Sequence, residues 1–142
     1  MKRIYPALTH AGILPFVAGA LLLHLGGDDP ILAEQVRRGL GAYSLIILSF
    51  IAGSHWGQHL QMNVRDSQLP ALASNAIVLA LWLAYLTLPF ELLMLCCMGA
   101  LLILLGVDQW LRRREVIDSL YFRLRCRVTA VVLLALGAAA AA

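Results

Sequence analysis

The sequence predicts an all-α integral membrane bundle of five transmembrane helices, with short interfacial helices in the first outer and last inner loops. Three observations carry that prediction. Of the 142 residues, 61% are hydrophobic and 13% are charged, against about 45–50% and about 25% in an ordinary soluble domain. Mean hydropathy is +0.82. The apolar residues also gather into five runs, each near the ~20 residues a helix needs to cross about 30 Å of hydrocarbon. Polar side chains could not clothe a water-soluble globule this small. Composition therefore argues against a soluble enzyme, a disordered chain and a secreted disulfide scaffold. No internal repeat is visible, and residues 1–142 read as a single domain.

The first run spans about Ala7 to Leu25. Met1-Lys2-Arg3 before it is also how a secretory signal begins, but no small-x-small cleavage site follows Leu23, so the run is read as a retained helix. Asp28-Asp29-Pro30 then offers an aspartate cap with proline at the first helical position. Ile31, Leu32, Val36 and Leu40 fall on one side of a short outer-surface helix. The second span runs from Gly41 to about Met62, the third from Pro70 to Leu88 and the fourth from Glu91 to Trp110. The link Thr87-Leu88-Pro89-Phe90-Glu91 has room only for a tight turn, which makes spans three and four antiparallel neighbours. In the loop from Asp108 to Arg125, Trp110, Leu111, Ile117, Leu120, Tyr121 and Leu124 recur at helical spacing between arginines, as in a helix lying at anionic headgroups. The fifth span runs from about Leu124 into the C-terminal alanines.

Orientation follows from the basic residues. With the N-terminus in the cytoplasm, the inner face carries Lys2, Arg3, Arg65, Arg112, Arg113, Arg114, Arg123, Arg125 and Arg127, and the outer face only Arg37 and Arg38. That places the C-terminus outside. The lack of an extended presequence rich in Arg and Ser favours a bacterial inner membrane over an organellar one, with the C-terminus periplasmic.

Polar residues inside hydrocarbon require an explanation. His10, His55, His59, Asn75, Asp108 and Thr129 come from different spans to about the same inner level, with His55 the deepest. The outer half offers chiefly His24, Tyr43 and Glu91, near the surface. The convergence points to a cytoplasm-facing polar pocket, with His10, Ser49, His55, His59, Asn75, Asp108 and Arg125 as its candidate residues; the alternative is that these groups merely sit at the wet interface. Span two is the densest segment. Ser49, Gly53 and Gly57, spaced by four, make a small-residue stripe suited to close helix packing. His55 and His59 share a neighbouring face, where two imidazoles could hold a metal with His10 as a third, and His10 opposite either of them could ligate a haem. Packing and hydrogen bonding within the bundle is the preferred reading, with no cofactor. Trp56, Trp110 and Tyr121 are candidate interfacial anchors. Cys96, Cys97 and Cys126 lack metal or redox spacing and read as small packing residues.

Gly12-Ile13-Leu14-Pro15-Phe16, Ile47-Leu48-Ser49-Phe50 through His55-Trp56-Gly57, and Asp108 with Tyr121, Leu124, Arg125 and Thr129 resemble the motifs of the domain of unknown function 3429 family. That family includes the mitochondrial transmembrane protein 69. Its segment around span three is only loosely echoed, by Arg65, Pro70-Ala71-Leu72 and Trp82. The resemblance implies the same five-helix topology, brings no established activity, and puts its emphasis on Ser49, Gly53, His55, Trp56, Gly57, Asp108 and Arg125. Asp108 and Arg125, at the two ends of the inner loop, make physical sense as a pair. Pro15 frees the carbonyl of Ala11, and His55 or Ser49 is expected close to that break.

No nucleophile elbow, phosphate-cradling loop or aspartyl pair is present, so the chain is read as a non-enzyme. The leading expectation is a non-catalytic subunit or assembly factor that contacts lipid and docks to other membrane proteins or to itself. The alternative is a transporter or proton-conducting channel, dimeric, built on the His/Asp pocket; haem or metal binding is a third. Nucleic acid is not an expected partner.

Overall fold

The computed structural model describes residues 4–60, 68–115 and 117–142, and for residues 4–5, 56–60 and 69 it describes the backbone alone. These residues form six helices and no strand: α1 (Ile4–Ala11), α2 (Leu14–Leu25), α3 (Pro30–Leu60), α4 (Gln68–Thr87), α5 (Phe90–Arg113) and α6 (Ser119–Ala141). Counting α1 and α2 as one interrupted crossing, five helices are long and apolar enough to span a membrane. Helices α2, α3, α5 and α6 each touch the next and close a four-membered ring, while α4 packs outside it against α3 and α5. Leu48, Met94, Leu104 and Leu136, all fully buried, fill the ring. Leucines such as Leu79, Leu102 and Leu134 face outward, as a lipid-facing surface requires. Cys97 is buried in the core, Cys96 is exposed and Cys126 is half-buried, all as free thiols.

The first crossing is broken at Gly12–Ile13. Ile13 N–H turns back to the His10 carbonyl at 3.1 Å, a tighter closure than the α-helical one. Pro15 falls in the first two positions of α2, where its missing N–H costs little. Across the break the Tyr43 hydroxyl donates to the Gly12 carbonyl at 2.8 Å. The Tyr43 ring packs on Phe16 with centroids 4.9 Å apart. The polar partner of the break is thus Tyr43, not His55 or Ser49 as the sequence suggested.

Gly26 and Gly27 terminate α2 as expected. Gly27 has a φ of 79°, a conformation that glycine adopts without steric cost. Asp29 Oδ1 then accepts from Ile31 N–H at 3.0 Å and caps α3. The expected separate surface helix over residues 31–40 is instead the first part of α3, a continuous helix of 31 residues, about 46 Å long. No cap or proline interrupts it. Its buried stripe also continues without a gap: Leu40 is buried, and a Cβ at Gly19 would come 3.2 Å from its Cδ1. At Gly41 a Cβ would meet Leu93 at 3.3 Å, so glycine sets how closely α3 and α5 approach.

Spans three and four are the expected antiparallel neighbours, joined through Leu88 and Pro89. The expected interfacial helix between Asp108 and Arg125 does not stand alone. Its first part prolongs α5 to Arg113 and its last part opens α6 at Ser119. Glu115, with a φ of 59°, reverses the chain. Asp118 Oδ1 accepts from Tyr121 N–H at 2.7 Å and restarts the helix. Complete burial of Leu111 ties the end of α5 into the bundle rather than leaving it on a surface.

The Tyr43–Gly12 bond gives a direct prediction. Tyr43→Phe removes one interhelical hydrogen bond and should lower stability in mixed micelles by about 1 kcal/mol, read from the denaturant midpoint. Tyr43→Ala, which also removes the ring from Phe16, should cost about 3–5 kcal/mol. Equal midpoints for Tyr43→Phe and the parent chain would show that the break is held by packing alone.

Candidate functional site

Three helix ends meet where Arg112, Arg113, Arg114 and Arg123 lie, here called the basic end. His55 stands five residues before the end of α3, Asp108 five before the end of α5, and Arg125 six after the start of α6. Each is therefore about 7.5–9 Å inside the bundle. α3 and α5 run toward this end and α6 runs away from it, so near-equal offsets put the three side chains at one depth.

They make direct contact. His55 Nε2 lies 2.8 Å from Asp108 Oδ1, and Arg125 Nε donates to Asp108 Oδ2 at 3.0 Å. Relative exposures are 0% for His55, 1% for Asp108 and 6% for Arg125. An ionised carboxylate only accepts, so the hydrogen of the histidine contact sits on Nε2 and the imidazole donates. Both Asp108 oxygens are thereby used, and the carboxylate and guanidinium cancel in charge. A macrodipole acts within about one turn of a helix end and would favour neither a carboxylate near a C-terminus nor a guanidinium near an N-terminus. What holds these charges is each other.

The satisfaction is incomplete. His55 Nδ1, Arg125 Nη2 and Thr129 Oγ1 are buried without a partner among the described residues. Thr129 follows Arg125 by four and so stands on the same face of α6 one turn on. At the rim, Arg114 lies over the Trp110 ring at 4.4 Å and Arg112 over Phe122 at 4.9 Å, and each pair is a cation–π contact.

Of the seven residues expected in one polar pocket, the structure unites His55, Asp108 and Arg125. Ser49 is exposed: it precedes His55 by six, about 120° around the helix, and points out of the bundle. His10 is exposed and its Nδ1 contacts the Pro6 carbonyl at 2.5 Å, within its own helix; the break below it leaves α1 against α6 rather than inside the ring. Asn75 is exposed because α4 packs outside the ring. The side chains of His59, Trp56 and Gly57, and Lys2, Arg3 and Arg65, lie outside the described residues. Tyr121, expected as an anchor, is half-buried. Among the described residues no three His, Cys, Asp or Glu side chains gather as a metal set.

Two contacts had no place in the sequence reading. Tyr43 was assigned to the outer surface, yet it reaches Gly12. Gly12 lies fourteen residues before Gly26 and Tyr43 thirteen after Pro30, so near-equal spacing from the turn was the available signal. His24 Nε2 contacts the Ala138 carbonyl at 2.6 Å and ties α2 to α6 at the end opposite the triad.

The triad should behave as a coupled unit. Asp108→Leu and Arg125→Met should each destabilise the bundle by about 3–5 kcal/mol, because each leaves a buried charge uncompensated. The double variant should recover about 2 kcal/mol of the summed loss. Additive losses in a double-mutant cycle of unfolding midpoints would mean that the pair is not energetically joined.

No curated protein and no solved structure matches the chain. A family model described as "Protein of unknown function (DUF3429)" matches residues 1–141. With its five apolar crossings and this match over nearly its whole length, the chain belongs to the DUF3429 family of proteins of unknown function.

Proposed function

We propose that this protein is a non-catalytic membrane subunit or assembly factor of a bacterial inner membrane, docking to another transmembrane helix through the outward face of α3. One observation carries the reading. Ser49 and Gly53, four apart, point away from the bundle, and a Cβ at Gly53 would meet nothing within 4 Å. Ile46, 64% exposed, continues the same face one turn earlier. Small residues at this spacing let a second backbone approach closely, which in lipid supplies packing that acyl chains do not. The chain's own helices use glycine in this way at Gly19 and Gly41, whereas a Cβ at Gly53 would meet nothing within 4 Å among the described residues. In this reading the triad is a fastening: it fixes α3 to α5 and α6 and so presents the stripe in one orientation. The nine basic residues assigned to one side support a cytoplasmic N-terminus.

The test is photo-crosslinking in native membranes from a diazirine amino acid at Ile46. A discrete protein adduct is expected, reduced at least tenfold by Gly53→Leu and unchanged by Gly106→Leu. Gly106 is a matched control, since it also opens onto empty space but on α5. Lipid adducts alone, with the protein solitary in mild detergent, would contradict the reading.

A second reading, a dimeric proton-conducting or transporting protein, is favoured by the buried, unpartnered Nδ1 of His55 and by the suitability of imidazole for proton relay. It predicts proton flux in liposomes that His55→Ala abolishes. Equal flux with both proteins would end it.

A further inference from the structure

A cavity of about 340 Å³ lies among α1, α2, α3 and α6. Its wall on α6 is one face of that helix, with Tyr121, Leu124, Val128 and Val132 at spacings of three and four. Tyr121 and Val132 are eleven residues apart, so the cavity runs about 16.5 Å along the bundle axis. It starts near the basic end, where Tyr121 stands in the first turn of α6, and reaches the middle of the bundle at Val132. It also opens sideways. Leu8 and Phe50 line it and are 66% and 78% exposed, which makes it continuous with the lipid-facing surface.

Shape and chemistry together select the occupant. The wall is mainly apolar, with Phe16, Ile47, Ile51 and Leu101 beside the α6 residues. The Ser54 hydroxyl is committed to the Ile51 carbonyl at 2.6 Å, and the Arg125 and Thr129 atoms that lack a partner are occluded. An ion or a polar ligand would lose its water here for little in return, and ordered water itself needs two to four polar partners. A second transmembrane helix, about 10–12 Å across, is too wide for this volume. What remains is hydrocarbon, and the surrounding bilayer supplies it. Half of its hydrocarbon core is about 15 Å deep, which is the reach of the chains of one leaflet and nearly the length of the cavity. Left empty, the cavity would cost its lining the dispersion contacts of a packed interior.

We propose that the cavity holds one acyl chain of a phospholipid from the leaflet at the basic end, entering past Leu8 and Phe50, with its ester near Tyr121 and its terminal methyl near Val132. The bound chain is a structural part of the bundle. The site is separate from the docking stripe, since neither Ser49 nor Gly53 lines it.

Photolabelling of the full-length protein in phosphatidylcholine nanodiscs tests this with two phosphatidylcholine probes, one carrying a diazirine at the end of an acyl chain and the other beside the chain carbonyl. Val128 and Val132 are 9% and 3% exposed, out of reach of lipid that merely surrounds the protein. The end-labelled probe should nevertheless form adducts at Val132, and the carbonyl-labelled probe at Tyr121 or Leu124. Ile51→Trp and Val128→Phe, which fill the cavity, should each lower the Val132 adduct at least tenfold. Adducts at Leu79 and Leu102, which face outward, should stay unchanged in both variants. The proposal is overturned if the parent chain carries no adduct at Val132, if the two probes label the same positions or the reverse ones, or if neither filling variant lowers the Val132 adduct.

Discussion

A carboxylate out of reach of water must have its oxygens satisfied by protein. Asp108 meets that condition with one imidazole and one guanidinium drawn from two other helices. The cost of leaving any of the three unpaired is several kcal/mol, which restricts α3, α5 and α6 to arrangements that hold His55, Asp108 and Arg125 at a common depth. A ring of apolar helices has little else to specify its rotation or register, since leucine against leucine is nearly as good as leucine against lipid. The polar contact supplies the specificity, and the apolar core of Leu48, Met94, Leu104 and Leu136 supplies the packing.

Other contacts extend the same logic along the bundle. At mid-length the Tyr43 hydroxyl meets the carbonyl freed at the Gly12–Ile13 break and ties α2 to α3. Toward the far end His24 reaches a carbonyl of α6. The ring of α2, α3, α5 and α6 is therefore fastened by polar groups at three levels, each joining different helices. With α3 fastened on its inner side, the Ser49–Gly53 stripe is held outward. Arg125 Nε holds Asp108, while its Nη2 stays buried without a partner among the described residues.

How much of this was legible in the sequence depended on the kind of signal. Five crossings follow from runs of apolar residues, because span length is set by the thickness of hydrocarbon. The common depth of His55, Asp108 and Arg125 follows from counting residues along helices of alternating direction. Depth alone, however, does not give azimuth. His10 and Asn75 were expected near the level of the triad and Ser49 about 9 Å farther along α3, but all three are exposed, because rotation about each helix axis is decided by packing partners that a single sequence does not name. The two expected interfacial helices failed for a local reason. Amphipathic spacing over residues 31–40 and 108–125 is equally compatible with the ends of long helices. The choice rested on burial of Leu40, Gly41 and Leu111 and on the Glu115 reversal with its Asp118 cap.

The most direct test of the central claim is magic-angle-spinning NMR in lipid bilayers, on protein with ¹⁵N-labelled histidine and arginine and ¹³C-labelled aspartate. The account predicts a hydrogen on His55 Nε2 and through-space correlations from the Asp108 carboxyl carbon to both His55 Nε2 and Arg125 Nε. A His55 ring that lacks a hydrogen on Nε2, or an Asp108 carboxyl with no correlation to either residue, would contradict it.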